Sequence, residues 1–181
     1  MNPALPLNTP PAVPADLMAD LRTDHAGETG AVWIYRGVLA VSRDAGVRDF
    51  ARRHLATEQE HLDLMCELVP PRHRSRLIVP WRAAGFFTGF LPALFGPRAV
   101  YGTIAAVETF VDRHYEEQIR ALDARPEGAA LQQLLRRCQA DECLHRDEAA
   151  AAAGPPGLLL RGWCAVVAWG SEAAVKVARR I

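Results

Sequence analysis

The chain has 181 residues, half of them hydrophobic, and its 21 Lys and Arg residues balance 21 Asp and Glu residues. That length suits one domain with a sizeable core, and the zero net charge disfavours nucleic acid as a partner. The four cysteines form no Cys-x-x-Cys pair, so we expect a reducing compartment in which they act as small apolar residues.

The first 15 residues are rich in proline and contain no Lys or Arg. They lack the basic start and apolar block of a signal peptide, and also the arginines of a mitochondrial transit peptide. We therefore expect residues 1–15 to be a flexible lead-in. A single domain is expected over residues 16–181, in a bacterial cytoplasmic setting.

The rest of the chain predicts six helices separated by Pro and Gly breaks. Apolar residues recur there at helical spacing, with almost none of the alternation that is typical of strands. Pro97 suits the first turn of the fourth helix, and Gly-Pro-Pro-Gly at residues 154–157 ends the fifth. The expected fold class is all-α, with helices over residues 16–44, 47–69, 79–95, 97–124, 127–153 and 158–181.

Two of these helices carry the motif Glu-x-x-His, as Glu58 with His61 and as Glu142 with His145. Residues three apart lie side by side on a helix, where they can bind one metal ion together. The composition predicts about 0.4 occurrences of the motif by chance, and the reversed order His-x-x-Glu occurs three times. The spacing alone is therefore weak evidence for a site.

Four glutamates interrupt the apolar stripe of their own helix, which is the side expected to face the core. In each half of the chain, one helix carries a lone glutamate and the next carries Glu-x-x-His. Buried unpaired carboxylates are costly, and Arg is too rare on these stripes to pair with them. Two divalent cations would neutralise the four carboxylates, with two imidazoles as neutral ligands. The predicted metal ligands are Glu28, Glu58, His61, Glu108, Glu142 and His145.

The donor set indicates which metal the site would hold. Carboxylates with imidazoles favour iron or manganese, whereas structural zinc favours cysteine and a closed tetrahedral shell. One Glu from each of two helices, with Glu-x-x-His from each of two others, is the known pattern of four-helix di-metal carboxylate proteins. We therefore predict a two-metal site inside a four-helix bundle.

Other polar residues near the predicted ligands are candidates for a supporting role. Tyr115 lies on the apolar stripe of Glu108 and is either part of the site or a packed tyrosine, and His114 beside it is a second candidate. Asp141 either orients a ligand histidine from the neighbouring helix or is solvated. The remaining histidines are not needed as ligands. We expect His25 either behind the ligands or at the surface, and His54 and His73 at the surface.

Two apolar stretches suggest contact with a membrane surface. Residues 83–97 carry no charge, although they are too few to cross a bilayer, which needs about 20 residues. A second apolar stretch in the last helix is interrupted by Arg161. We expect a peripheral protein on the cytoplasmic side of the bacterial inner membrane; the alternative is that both stretches belong to an ordinary core. Trp81, Trp163 and Trp169 are expected at headgroup level. Replacing both Phe86 and Phe90 by Asp should weaken liposome binding.

The residues around the predicted ligands resemble the demethoxyubiquinone hydroxylase family. The segment LRTDHAGETGAVWIYRG around Glu28 is similar to the opening signature of that family. The segments TEQEHL, AAVETFVDRHYEEQIR and DECLHRDEA resemble its other three signatures, in the same order and at similar spacing. The resemblance runs from about Leu21 to the C-terminus and holds at all six predicted ligands.

The resemblance implies a ferritin-like four-helix bundle with two additional apolar helices. It implies two iron ions per chain, held by those six residues, and O2-dependent hydroxylation of a polyprenylated demethoxyubiquinol in ubiquinone biosynthesis. The electrons come from outside the chain, either from NADH or from the quinol, and the sequence has no Gly-x-Gly-x-x-Gly motif for a nucleotide-binding fold. Other ubiquinone-biosynthesis proteins and further copies of the chain are candidate partners.

Three other functions stay open at this point. A ferritin-like iron store or peroxide scavenger shares the ligand set, although the apolar third helix disfavours a soluble cage. A membrane-associated scaffold without enzymatic activity would bind no metal. A di-iron hydroxylase could also act on a different lipid or on modified RNA, and the zero net charge disfavours RNA.

Overall fold

The computed structural model describes residues 11 and 13–181, and regular structure in that part of the chain is entirely helical. One-turn 3-10 helices lie at Ala15–Leu17, Pro71–His73 and Pro126–Gly128. The predicted all-α class and all six predicted helices are confirmed, with ends shifted by at most three residues. The predicted lead-in falls largely on residues 1–10 and 12, outside the described residues. The six α-helices are α1 (Met18–Val41), α2 (Ala45–Leu68), α3 (Ile78–Ala93), α4 (Pro97–Leu122), α5 (Ala129–Ala153) and α6 (Leu158–Ala178).

Capping and glycine residues set several helix ends. The Asp44 side chain accepts a hydrogen bond of 2.8 Å from the Val47 N–H, which satisfies one of the free donors at the start of α2. Gly96 adopts a φ of 97° directly before Pro97, and Gly154 adopts a φ of 63° at the end of α5. Both angles favour glycine. The short connections between α1 and α2, and between α4 and α5, make the helices of each pair antiparallel.

Helices α1, α2, α4 and α5 form a ferritin-like bundle whose core has two apolar layers. One layer includes Leu21 of α1 and Met65 of α2, and the other includes Tyr35 of α1 and Phe50 of α2. On every helix of this bundle, the glutamate predicted as a ligand falls between a residue of one layer and a residue of the other, as Glu28 does on α1. The fold therefore places the predicted ligands at one level, midway along the bundle.

Helices α3 and α6 lie outside this bundle, with α3 mainly against α1 and α6 mainly against α4. Glycines allow the backbones of α1 and α3 to pack closely. A Cβ added at Gly89 would collide with the carbonyl of Ile34, and one added at Gly85 would collide with the carbonyl of Gly30. Several bulky apolar residues of α3 and of the turn that follows it are exposed, namely Val79, Phe87, Leu91, Leu94 and Phe95.

Candidate metal centre and its cavity

All six predicted ligands are buried and lie together in the middle of the bundle. None of them is more than 5% exposed. Each of the four bundle helices supplies a glutamate, and the helices with the Glu-x-x-His motif also supply the two histidines. The residues brought together are Glu28 from α1, Glu58 and His61 from α2, Glu108 from α4, and Glu142 and His145 from α5.

The donor atoms of these residues form two overlapping groups, and within each group all four atoms lie within 4.8 Å of one another. One group contains Glu28 and His61 with a pair of glutamates, and the other contains Glu108 and His145 with the same pair. Each group has the size of one metal-binding site, and the two groups have two glutamates in common, so the six residues would hold two ions in the manner of di-metal carboxylate proteins. The shared glutamates are Glu58 and Glu142.

Several atoms of the centre lack a hydrogen-bond partner within the described part of the chain, namely both oxygens of Glu58, Oε2 of Glu142 and Nδ1 of His145. His145 Nδ1 lies 3.0 Å from Glu58 Oε1 and 3.2 Å from Glu142 Oε2, so these atoms converge within ion-pair distance but without hydrogen-bond geometry. Buried polar atoms without partners are rare and call for an explanation such as a bound ion. The residues present therefore fit a two-metal carboxylate centre.

The electrostatics of the centre support the same conclusion. Burial raises the pKa values of Glu28, Glu58 and Glu108 above the ordinary range of a glutamate. Burial has the same effect on Glu142, but the neighbouring histidines outweigh it and lower that pKa to about 2. The protein on its own thus resists holding four ionised carboxylates together. Two divalent cations would supply the charge that stabilises all four in ionised form.

Asp141 orients one of the histidines, which was one of its two predicted roles. Its Oδ2 lies 3.2 Å from Nε2 of His61, while Nδ1 of the same ring lies 2.9 Å from Oε1 of Glu142. A hydrogen bond from Nε2 to a carboxylate fixes the ring and leaves Nδ1 facing the centre.

Two tyrosines connect the helices that carry the lone glutamates. The Tyr115 hydroxyl of α4 donates a hydrogen bond of 2.5 Å to Glu28 Oε1 of α1, and the Tyr35 hydroxyl of α1 lies 3.4 Å from Glu108 Oε1 of α4. Tyr115 therefore contacts a predicted ligand while its ring packs in the apolar layer that includes Leu21, and its role in the site stays a prediction. Tyr35 was missed, although the sequence contained a signal: each of the two tyrosines follows the lone glutamate of its own helix by seven residues.

The prediction that His54 lies at the surface is wrong. The residue is 6% exposed, and its ring packs against Phe50 and His145 at centroid distances of 4.2 and 4.0 Å. Its Nε2 lies 3.0 Å from Oε2 of Glu148. The reason is helical spacing, because His54 precedes Glu58 by four residues and shares its inward face.

The other histidines lie away from the two ligand groups. His25 is buried, and its Nε2 lies 3.5 Å from Sγ of Cys66. Of the two positions predicted for His25, the surface position is therefore wrong. His114, predicted as a supporting residue, faces a different carboxylate, with its Nε2 3.1 Å from Asp24 Oδ1. His73 is partly exposed.

A largely apolar cavity of about 560 Å³ opens onto the centre. Its walls come from α1, α3, α4 and α6, and all four glutamates of the centre reach it. Trp81 and Trp163, predicted at headgroup level, line this cavity, whereas Trp169 is 72% exposed. The metal position is thus connected to a space that suits an apolar molecule.

Comparison with known proteins identifies the family. The sequence model of the family described as ubiquinone biosynthesis protein COQ7 matches residues 15–178. The chain belongs to this family. The resemblance found in the four signature segments is thereby confirmed, and the match extends over all six helices of this COQ7-family chain.

Curated relatives carry related names. A 3-demethoxyubiquinol 3-hydroxylase of Rhodospirillum rubrum is 40% identical over 135 residues, which are 70% of this chain and 60% of that protein. A protein of the same name from Bordetella avium is 34% identical over 139 residues, 75% of this chain and 63% of that protein. A mitochondrial NADPH-dependent 3-demethoxyubiquinone 3-hydroxylase of Dictyostelium discoideum is 36% identical over 128 residues, 69% of this chain and 59% of that protein. The chain spans about three fifths of the length of these relatives.

Proposed function

We propose that this chain is a di-iron, O2-dependent hydroxylase that acts on a demethoxyubiquinol. The names of the relatives supply the reaction, and the observation that supports it in this chain is the apolar cavity that ends on the four buried glutamates. A lipid quinol needs an apolar space, and a hydroxylase needs its metal centre within reach of the substrate ring. An iron store has no use for such a cavity.

The donor set of four carboxylates and two imidazoles supports iron as the resident metal. When bound, two iron ions supply the redox chemistry with O2 that amino-acid side chains cannot carry out. Hydroxylation places one oxygen atom of O2 in a ring C–H bond and reduces the other to water, which requires two electrons and two protons. A reduced nicotinamide is the proposed source of electrons, in line with the name of the Dictyostelium relative.

The side chains around the centre hold it in shape. Tyr115 fixes Glu28 through its hydroxyl, and Asp141 fixes the ring of His61. Such outer contacts contribute to metal affinity and geometry. The apolar walls of the cavity keep water away from the reacting groups, which strengthens every electrostatic contact inside.

We propose further that α3 and α6 rest on a membrane surface. Among the described residues, α6 is the one helix long and apolar enough to cross a membrane by length and composition, and only 6% of its most apolar window is buried. Phe87 of α3, Phe95 just after α3 and Trp169 of α6 are exposed, whereas Phe86 and Phe90 are half-buried. The same helices form cavity walls on their inner side. A quinol could therefore pass from the bilayer into the cavity without entering water.

The function is tested by expressing the chain in a bacterial strain that lacks its own demethoxyubiquinol hydroxylase. Quinones are extracted and measured by mass spectrometry. We expect ubiquinone to return and the demethoxy precursor to fall. Glu142→Ala should not restore ubiquinone, whereas Glu60→Ala should, because Glu60 is exposed on the outer face of α2.

Iron content is measured on the same proteins. If the folded wild-type chain carries two irons and the precursor persists, the metal centre is real but the proposed substrate is wrong. If the chain carries no iron and ubiquinone still returns, the proposed role of the centre is wrong.

A further inference from the structure

The charges of the chain are distributed unevenly between the bundle and the two segments that contain α3 and α6. Residues 69–98, which contain α3, carry five Arg and no Asp or Glu. Residues 154–181, which contain α6, carry three Arg and one Lys against a single Glu. The rest of the chain carries the other 12 Lys and Arg and the other 20 Asp and Glu. The zero net charge is therefore the sum of two basic segments and an acidic bundle.

Hydrogen bonds to the backbone bring one end of each basic segment together. The Arg76 N–H donates a hydrogen bond of 3.2 Å to the Ile181 carbonyl, which joins the residues before α3 to the residues after α6. Arg22 of α1 contacts both ends, with its Nε 2.6 Å from the carbonyl oxygen of His73 and its Nη1 3.2 Å from that of Arg179. The start of α3 and the end of α6 therefore lie side by side.

Five exposed cations lie at this junction, and we call them the basic patch. They come from the link before α3, from the first turns of α3 and from the end of α6, and they are Arg72, Arg76, Arg82, Lys176 and Arg180. Within the described part of the chain, the one cation of the two basic segments that forms an ion pair is Arg179, which lies 2.6 Å from Asp20. The charges of the basic patch are therefore available to an anionic partner.

The basic patch is continuous with the exposed apolar side chains of the same two helices. On α6, Trp169 is 72% exposed and precedes Lys176 by seven residues, so the two share one face of the helix. On α3, Val79 is 73% exposed and precedes Arg82 by three residues. Cations beside exposed apolar side chains are typical of proteins that lie on a lipid surface. A nucleic acid would neutralise the cations but leave the apolar side chains uncovered.

We propose that the basic patch binds the anionic headgroups of phospholipids, so that the protein docks selectively on negatively charged membranes. The inference rests on the proposed contact of α3 and α6 with a membrane and names the lipid chemistry of that surface. A Lys or Arg near an anionic membrane increases affinity by about fivefold. The same membrane repels the acidic bundle, so the charge distribution also sets the orientation. It turns the walls of the cavity that α3 and α6 form toward the lipid.

The test compares the binding of the full, metal-loaded chain to two kinds of vesicle by co-sedimentation. One kind contains phosphatidylcholine alone, and the other contains phosphatidylcholine and anionic phosphatidylglycerol in equal parts. At low salt, we expect the wild-type chain to bind the anionic vesicles at least about 100-fold more tightly, since several cations contribute together. Added salt should reduce this preference because it screens exposed charges, and it should leave binding to phosphatidylcholine vesicles largely unchanged.

A double variant separates the basic patch from the net charge of the chain. Lys176→Gln combined with Arg180→Gln should weaken binding to the anionic vesicles by about 25-fold, since each cation contributes about fivefold. The matched control is Arg52→Gln combined with Arg137→Gln, which removes the same charge from exposed positions on α2 and α5. Helices α3 and α6 pack mainly against α1 and α4, so the control positions lie away from the basic patch. The control should keep the preference.

The possible outcomes distinguish this inference from the proposed function. Equal binding to the two kinds of vesicle by the wild-type chain overturns the role of the basic patch and leaves the hydroxylase proposal standing. Equal losses in the double variant and in its control overturn it in the same way. Tighter binding to a DNA duplex than to the anionic vesicles would overturn lipid as the partner. If the vesicle preference holds but ubiquinone does not return in the deficient strain, the hydroxylase proposal fails and the docking surface stands.

Discussion

The four-helix bundle and the pair formed by α3 and α6 distribute polarity in opposite ways. The bundle places six ionisable side chains in its centre, each at most 5% exposed. In the outer pair, α3 places Gly85 and Gly89 against α1, and large apolar side chains such as Phe87 and Leu159 are more than half exposed. A soluble domain without ligands would show the reverse arrangement in both regions.

Both the buried charges and the exposed apolar side chains raise the free energy of the folded chain until a bound partner neutralises or covers them. Buried carboxylates are unfavourable until cations neutralise them, and exposed apolar patches are unfavourable until something apolar covers them. The comparison therefore teaches that the two regions call for different partners, which we propose to be metal ions for the bundle and a lipid surface for the outer pair. Substitutions in one region should leave the partner of the other region unaffected.

The largest effect is expected from removing a glutamate that both ligand groups share. Glu58→Ala should lower hydroxylase activity by at least about 100-fold, since even residues that only support a metal ligand cost 10- to 100-fold. Iron content per chain should fall with it. Glu67→Ala is the control on the same helix, because Glu67 is exposed. Retention of both metals by Glu58→Ala would contradict the assignment of Glu58 as a ligand.

Metal removal should destabilise the bundle. At a free metal concentration of about 100 times the dissociation constant, binding stabilises the folded chain by about 2.7 kcal/mol. For a chain of this size, the melting temperature should therefore fall by about 5–10 °C when a chelator removes the metal. Calorimetry measures this difference. The Glu58→Ala variant supplies the comparison, because its melting temperature should respond much less to the chelator.

The contact between the two regions depends on glycine. Gly89→Ala should destabilise the chain by about 1–3 kcal/mol, because the added methyl group collides with the Ile34 carbonyl and forces α3 away from α1. Gly162→Ala in α6 is the control, as no described atom lies within 4 Å of its added Cβ. The control should be neutral or up to about 1 kcal/mol more stable, since Ala is the better helix former. Urea unfolding distinguishes the two, and equal stabilities would show that the close packing is not needed.

The smallest effect is expected at the outer surface. Phe87→Asp should weaken liposome binding by about tenfold, which corresponds to losing part of one apolar side chain from a lipid environment. Leu144→Asp is the matched control, because Leu144 is 66% exposed on α5, away from α3 and α6. Co-sedimentation with liposomes measures both. Equal losses in the two variants would show that lipid binding is not specific to the outer pair, and iron content should not change in either.

Much of this arrangement was predictable from the chain itself. The helices were predictable because apolar periodicity and Pro-Gly breaks are local signals, and the ligand glutamates because a carboxylate on an apolar stripe stands out on its own helix. His54 was not, since a histidine next to Arg53 resembles a surface residue until the opposite helix is in place. Asp24 shows the same difficulty, because nothing local reveals that only one of its oxygens has a partner.

The sequence by itself determined the all-α class, the helix order and the six candidate ligands, because these follow from spacing within single helices. Only the tertiary structure decided which two glutamates are shared between the ligand groups, how the tyrosines cross between α1 and α4, and where the cavity meets the centre. It also decided that Gly85 and Gly89 of α3 face α1 and that Phe87 is exposed. The physical reason is that these features are contacts between helices far apart in the chain, and local periodicity carries no information about which neighbour a helix face will contact.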